Sequence, residues 1–162
     1  MEKTSLSEIR KELSFIPREE LVAICLRMAR FKKENKEHLA YLLFQKDEAE
    51  FIAEINEEIT DTLADIHWMN TLQAKKALQK TLRNISKNKK FSLSKIYEME
   101  AMLHFIRTML EKEIPHSSSA YLHQFYSKQV VKLPKILGSL NEEIQTDYRD
   151  EVETLTKKVY RY

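Results

Sequence analysis

The length, composition and charge of this chain limit what it can be. Its 162 residues, 43% of them hydrophobic, suit one compact domain that buries roughly two thirds of the surface of the unfolded chain. A formal net charge of +2 excludes strong attraction of the whole molecule to polyanions and leaves that role to a local patch. The only cysteine, Cys25, excludes an intramolecular disulfide and a multi-cysteine zinc site, and it fits a reducing cytosol.

The apolar runs of the sequence are too short for a membrane span. The longest are Leu21 to Leu26 and Ala40 to Phe44, and the amino terminus MEKTSLSEIRKEL lacks the apolar centre of a signal peptide. We therefore expect a cytoplasmic protein with no membrane partner.

The fold is predicted to be all-α. One glycine and three prolines supply almost none of the tight turns that hairpins favour, and the segments between them are rich in helix formers. We expect six or seven mostly antiparallel helices, in a bundle or a short curved helical array, forming a single domain over residues 1–162. No fixed-period internal repeat is present.

Three helices are predicted in the first 44 residues. Ser5 and Glu8 form a capping box, Pro17 suits the first turn of a second helix, and Asn35 is placed to cap a third. The apolar residues of the second helix fall on one stripe, which consists of Leu21, Ile24, Cys25, Met28 and Phe31. The third helix should bury Leu39, Leu42 and Leu43.

The next two helices need a break between them. A single helix from about Asp47 to Lys87 would be ~60 Å long, against a radius of gyration of ~15 Å for a compact domain of this size. Asn70 followed by Gln73 resembles a capping pair, which places the break near His67 and Trp68.

The rest of the chain is predicted to hold three more long helices. Ser92 or Ser94 begins one that ends before Pro115, and the sequence HSSS at 116–119 begins another. Pro134 and Gly138 interrupt the chain before a last helix from about Asn141. Its apolar residues recur at spacings of three and four: Ile144, Tyr148, Val152, Leu155, Val159 and Tyr162.

Charge is separated sharply between two neighbouring segments. Residues from Asp47 to Asp65 include eight acidic side chains and no Lys or Arg. In residues 66–97 all the Asp, Glu, Lys and Arg positions are Lys or Arg. Helical geometry places Glu50, Glu54, Glu57, Asp61 and Asp65 on one strip. The candidate contact residues for a nucleic acid or an acidic partner are Lys75, Lys76, Lys80, Arg83, Lys87, Lys89 and Lys90.

These two segments support three interpretations. The first is that they neutralise one another across a helix hairpin, with Phe51, Ile55, Ile59, Leu78, Leu82 and Ile85 buried between them. The second is a nucleic-acid surface, since Lys and Arg from Lys75 to Lys95 can neutralise phosphates. The third is docking of an acidic protein. No helix-turn-helix glycine, zinc-finger spacing or RNA-recognition signature accompanies the basic stretch.

No catalytic, cofactor-binding or metal-binding residue is predicted. Cys25 is expected to be a buried structural cysteine among apolar neighbours, and the single glycine cannot build a phosphate loop. Glu113 and His116 have the Glu-x-x-His spacing of di-iron bundles, but Pro115 lies between them and no second copy exists. His104, flanked by apolar residues, is expected to be hydrogen-bonded and half-buried.

Two clusters of apolar residues are expected to belong to the core, and each also has an alternative role in binding. The helix from Ile96 to Leu110 is apolar over more than half its circumference, and its Met99, Met102 and Met109 form either a central packed helix or a peptide groove. Further on, Tyr121, Phe125 and Tyr126 are expected to be core anchors, or else the mouth of a small pocket.

The stretch LSFIPREELVAICLRMARFKKENKEHLAYLLF, residues 13–44, resembles the opening of an uncharacterised bacterial family of small all-helical proteins. The resemblance covers about the first quarter of the chain and implies a helical hairpin but no activity. The succession of helices also resembles helical-repeat binding proteins at the level of the fold. The sequence therefore predicts a non-enzymatic protein-interaction or scaffold module, with nucleic-acid binding by the basic stretch as the alternative. A third alternative is an enzyme whose site residues are dispersed along the chain.

Overall fold

All regular structure in the described residues is helical. The computed structural model describes residues 4–44, 47–67, 69–92 and 94–159. The predicted all-α class is confirmed. The contacts divide the chain into two compact units, residues 1–46 and 47–162, which we call the N-terminal and C-terminal units. A single domain over residues 1–162 stays a prediction.

The N-terminal unit consists of three helices, α1 (Leu6–Leu13), α2 (Arg18–Phe31) and α3 (Lys33–Phe44). Ser5 and Glu8 form the predicted capping box: the Ser5 N–H donates to the Glu8 carboxylate at 2.7 Å and the Glu8 N–H donates to Ser5 Oγ at 3.3 Å. The Ser5 hydroxyl also donates to the Glu8 carboxylate, at 2.9 Å. The bonds from the Ser5 N–H and the Ser5 hydroxyl lower the pKa of Glu8 because both favour the charged carboxylate.

The junction between α2 and α3 differs from its prediction. Helix α3 begins at Lys33, two residues before the predicted cap. Asn35 lies inside α3, where its side-chain Nδ2 donates to the Met28 carbonyl at 2.9 Å. Asn35 thus satisfies a carbonyl near the end of α2 instead of capping α3, and the extended backbone of Lys32 separates the two helices.

The C-terminal unit contains the remaining helices. They are α4 (Glu48–Ala64), α5 (Thr71–Asn88), α6 (Ile96–Glu111), a short 3-10 helix (Ile114–His116), α7 (Ala120–Val130), α8 (Leu133–Leu137) and α9 (Glu142–Val159). The described residues contain nine α-helices, more than the expected six or seven, and α8 is the element that was not predicted. Pro134 occupies its first turn, where the missing N–H costs nothing.

Helix α6 is the centre of the C-terminal unit. It packs against α4, α5, α7 and α8, and Tyr97, Met99, Leu103, Phe105 and Ile106 on it are fully buried. This arrangement is a bundle around α6. It also confirms that the methionine-rich face is core, because Met99, Met102 and Met109 are all buried.

Local signals set the ends of these helices as predicted. Helix α4 ends at Ala64, and the Asn70 side chain accepts from the Gln73 N–H at 3.1 Å, which confirms the break. Trp68 and Tyr162 lie outside the described residues. Ser94 Oγ accepts from the Ile96 N–H at 3.1 Å, and Ser119 caps α7.

Polar contacts attach α9 to α6. Arg107 donates to both carboxylate oxygens of Glu151, at 2.7 and 2.5 Å, and the Tyr148 hydroxyl donates to Glu100. The Glu151 carboxylate raises the pKa of Arg107. Burial raises the pKa of Tyr148, and the Glu100 carboxylate adds to that shift. Together with the buried Val152 and Leu155, these contacts fix the face that α9 presents to the core.

Candidate interaction surfaces

Exposed apolar side chains are concentrated in the N-terminal unit. Of the fourteen large hydrophobic side chains that are exposed in the described residues, the C-terminal unit holds three, Met69, Leu72 and Val131. The N-terminal unit holds the other eleven: Leu6, Ile9, Leu13, Phe15, Val22, Leu26, Met28, Phe31, Leu42, Leu43 and Phe44. Within residues 4–44 no side chain is buried. We call these eleven residues the N-terminal apolar surface.

Several burial predictions for the N-terminal unit are therefore wrong. Cys25, expected to be a buried structural cysteine, is exposed. Leu42 and Leu43 were predicted to be buried and are 54% and 59% exposed, and Phe31 is 75% exposed. The physical reason is that helical periodicity identifies an apolar face but does not supply an element to cover it, and two short helices shield each other only in part.

Helix α2 has an exposed stripe with a defined charge order. Val22, Cys25 and Leu26 follow the i, i+3, i+4 spacing and are all exposed. Acidic residues occupy the first turn, Glu19 and Glu20, and Arg30 occupies the last. This order complements the helix dipole and makes the two ends of α2 opposite in charge.

The seven predicted contact residues on the basic stretch lie along α5 and just after it, but their environments differ. Lys75 Nζ lies 4.7 Å from the centre of the Tyr121 ring, and Lys89 pairs with Glu98 on α6 at 2.6 Å. Lys87 is half-buried, with its Nζ 5.9 Å from the centre of the Phe91 ring. The other four are exposed: Lys76, Lys80, Arg83 and Lys90.

The acidic helix α4 and the basic helix α5 pack together through apolar side chains. Lys76, Lys80 and Arg83 form no ion pair with any residue in the described part of the chain. The predicted core between the helices is largely present, with Phe51, Ile55, Ile59, Leu78 and Ile85 buried. Leu82, predicted to be buried there, is half-buried. The helices are thus held by apolar packing, and three cations on α5 remain open to solvent.

The titratable groups within the bundle have structural partners. His104 is half-buried, as predicted, and its Nε2 is hydrogen-bonded to Thr60 Oγ1 at 2.8 Å. Burial lowers the pKa of His104, and the nearby Arg107 lowers it further. Among the described residues, no group of three or more His, Cys, Asp or Glu side chains could hold a metal ion.

A cavity of about 270 Å³ opens at the end of α6. Leu110, Pro115 and Val159 provide its apolar wall, while His116, His123 and Lys158 are among its polar lining residues. Of the three aromatic residues considered as the mouth of a pocket, Tyr126 lines this cavity. Tyr121 and Phe125 instead pack against each other, with ring centres 6.2 Å apart and ring planes tilted by 36°. Sequence reasoning missed the cavity because its residues come from four separate segments.

Comparisons with protein-family models, curated proteins and solved structures find no match to this chain. The resemblance to an uncharacterised bacterial family stays a prediction. Within the described residues, none of the helices combines the length and the apolar character that crossing a membrane requires.

Proposed function

We propose that this chain is a non-enzymatic protein-interaction module and that the N-terminal apolar surface is its docking surface. The observation that supports the proposal is the contrast in exposure: eleven large hydrophobic side chains are exposed in the N-terminal unit against three in the C-terminal unit. Large apolar patches on a protein surface mark interaction sites, and we propose that these eleven side chains form such a patch. A helical unit of about 46 residues also has too little core to be stable without further burial.

The partner that we propose for this surface is a second copy of the chain. A two-fold interface must be self-complementary, so each element meets a copy of itself running the opposite way. Antiparallel pairing of two α2 helices through the face that carries Val22 and Leu26 places Glu19 of one copy near Arg30 of the other. The charge order of α2 therefore favours its own copy.

The amount of apolar surface is sufficient for such a dimer. Phe15, Phe31 and Phe44 are each more than 70% exposed, and a phenylalanine side chain can bury roughly 150–250 Å². With the eight other apolar side chains, the surface can supply the ~800 Å² per partner that a standard interface buries. Two α2–α3 hairpins would then form a four-helix bundle and hold two C-terminal units in one particle.

Sedimentation velocity at about 1 µM and about 100 µM protein tests this proposal. We expect a dimer whose population rises with concentration, and Leu26→Glu should weaken it at least about tenfold because it places a charge in an apolar interface. Leu72→Glu is the matched control, since Leu72 is 64% exposed on α5 in the other unit. A monomer at both concentrations, or equal effects of the two substitutions, would contradict self-association through α2.

Nucleic-acid binding is the second candidate, favoured by the unpaired cations Lys76, Lys80 and Arg83 on the outer face of α5. Each phosphate that they neutralise releases counterions, so binding should fall steeply with salt. Fluorescence anisotropy with random-sequence DNA and RNA at two salt concentrations tests it. The double variant Lys80→Glu, Arg83→Glu should abolish micromolar binding if this function holds, whereas Lys128→Glu, Lys135→Glu, with the same charge change on α7 and α8, should not.

A further inference from the structure

We propose that the cavity at the end of α6 is a binding site for a small organic carboxylate. This inference concerns the C-terminal unit alone and goes beyond protein interaction. The cavity volume of about 270 Å³ is at the small end of the roughly 300–1,000 Å³ typical of ligand pockets. It therefore suits a compact ligand.

The cavity combines an apolar wall with a few polar groups, as ligand sites usually do. Leu110 comes from α6, Pro115 from the 3-10 helix, Tyr126 from α7 and Val159 from the end of α9. An apolar body of the ligand can contact these four side chains. Because they belong to four different segments, the cavity exists only in the folded unit.

The polar groups are of the type that binds a carboxylate. Lys158 contributes an ammonium group with three donors, and the His123 ring contributes a nitrogen donor. Ser127 Oγ also lines the cavity, and it donates at 3.0 Å to the backbone carbonyl of His123. That bond uses the Ser127 proton, so this hydroxyl is not a donor for the ligand, and it ties the side chain to the turn of α7 that carries His123.

The number of positive groups favours a monoanion. Among the described residues that line the cavity, Lys158 is the one lysine and no arginine accompanies it. A single ammonium balances the single charge of a carboxylate, whereas a phosphate dianion would keep an unbalanced charge against an apolar wall. The ligand class is therefore a carboxylate attached to a small apolar body.

The turn that carries part of the cavity is strained. Glu113, immediately before the 3-10 helix, has φ of 54°, the one positive φ among the described non-glycine residues. For a residue with a side chain, the left-handed conformation costs about 1–2 kcal/mol. Strain of this kind persists where the surrounding structure enforces it, and it is frequent at ligand sites. Here it sets the chain direction into Pro115 and His116.

Titration of the ¹⁵N-labelled full chain with benzoate, followed by two-dimensional NMR, tests the proposal. Benzoate has one carboxylate on a compact apolar ring, and benzamide is its neutral counterpart. We expect saturable shifts of the Leu110, His123 and Ser127 amides, with millimolar affinity for benzoate and at least about fivefold weaker binding of benzamide. Lys158→Gln should weaken benzoate binding at least about fivefold, since it removes the fixed charge.

Lys157→Gln is the matched control. Lys157 is the adjacent lysine, lines a different cavity and pairs with Glu153 at 3.0 Å, so its loss should leave benzoate binding unchanged. Lys158 is exposed, so its variant should keep the fold, which circular dichroism checks. Linear shifts without saturation, equal binding of benzamide, or equal effects of the two lysine variants would overturn the proposal.

Discussion

The apolar faces of the helices are buried in the C-terminal unit and largely exposed in the N-terminal unit. In the C-terminal unit, α6 is covered by four other helices, and six of its large side chains have no exposure at all: Tyr97, Met99, Leu103, Phe105, Ile106 and Met109. In the N-terminal unit, α2 and α3 pack on each other and leave Phe31 75% and Phe44 78% exposed.

This difference shows that an apolar face and a buried face are separate properties. A helix has the first by its own sequence, whereas the second depends on how many neighbours surround it. The C-terminal unit satisfies its apolar faces internally. The N-terminal unit has apolar faces left over, which is the physical basis for assigning the docking role to it.

The largest predicted effect compares one phenylalanine from each unit. Phe105→Ala should lower the free energy of unfolding by about 3–5 kcal/mol because it leaves a cavity against α6. Phe31→Ala should change it by about 0.5 kcal/mol or less, since Phe31 is largely exposed. Chemical denaturation at a protein concentration low enough to keep the chain monomeric measures both. Similar losses in the free energy of unfolding at the two positions would contradict the difference in burial between the two units.

A smaller effect is predicted for the two helix caps. Asn70→Ala should cost about 0.5–2 kcal/mol because α5 is part of the bundle and loses the acceptor for the Gln73 N–H. Ser5→Ala removes a cap of similar chemistry from α1, which buries no residue. It should reduce the helix content of α1, visible in Cα chemical shifts, without moving the main unfolding midpoint. A midpoint shift as large as that of Asn70→Ala would show that α1 is coupled to the principal core.

The smallest predicted effect is a pH dependence at His104 in the bundle. Burial lowers its pKa, so the unfolded chain, where the pKa is about 6.5, binds the proton more readily. The neutral His104 ring makes its full contribution to the free energy of unfolding above about pH 6.5. That contribution declines as the pH falls toward the pKa of the folded state. The decline in the free energy of unfolding should be smaller in His104→Gln than in the wild-type chain. Chemical denaturation of both proteins at about pH 7.5 and pH 5.5 measures it. An identical decline would mean that the His104 environment is not desolvated.

Local signals predicted much of the fold. The capping pairs Ser5–Glu8 and Asn70–Gln73 act over three residues, so the sequence alone identifies them. The core role of α6 was also predictable, because a helix that is apolar around most of its circumference needs neighbours on several sides. These predictions required no knowledge of which helices meet.

Predictions that depended on distant partners were less successful. Leu42, Leu43 and Cys25 have the spacing of buried residues, but no described element covers them. Asn35 has the character of a cap, yet its amide reaches the Met28 carbonyl across the α2–α3 junction. The cavity at the end of α6 joins residues up to 49 positions apart, from Leu110 to Val159, and periodicity within one helix contains no information about such a meeting.

The exposure of Cys25 has a practical consequence for measuring this protein. It is the only cysteine in the chain, and it lies on the exposed stripe of α2. A thiol-reactive dye therefore attaches once per chain, next to Val22 and Leu26, without any engineered site. The rate of alkylation then reports how often this stripe is accessible. If α2 helices pair, the rate of Cys25 alkylation in the wild-type protein should fall as the protein concentration rises.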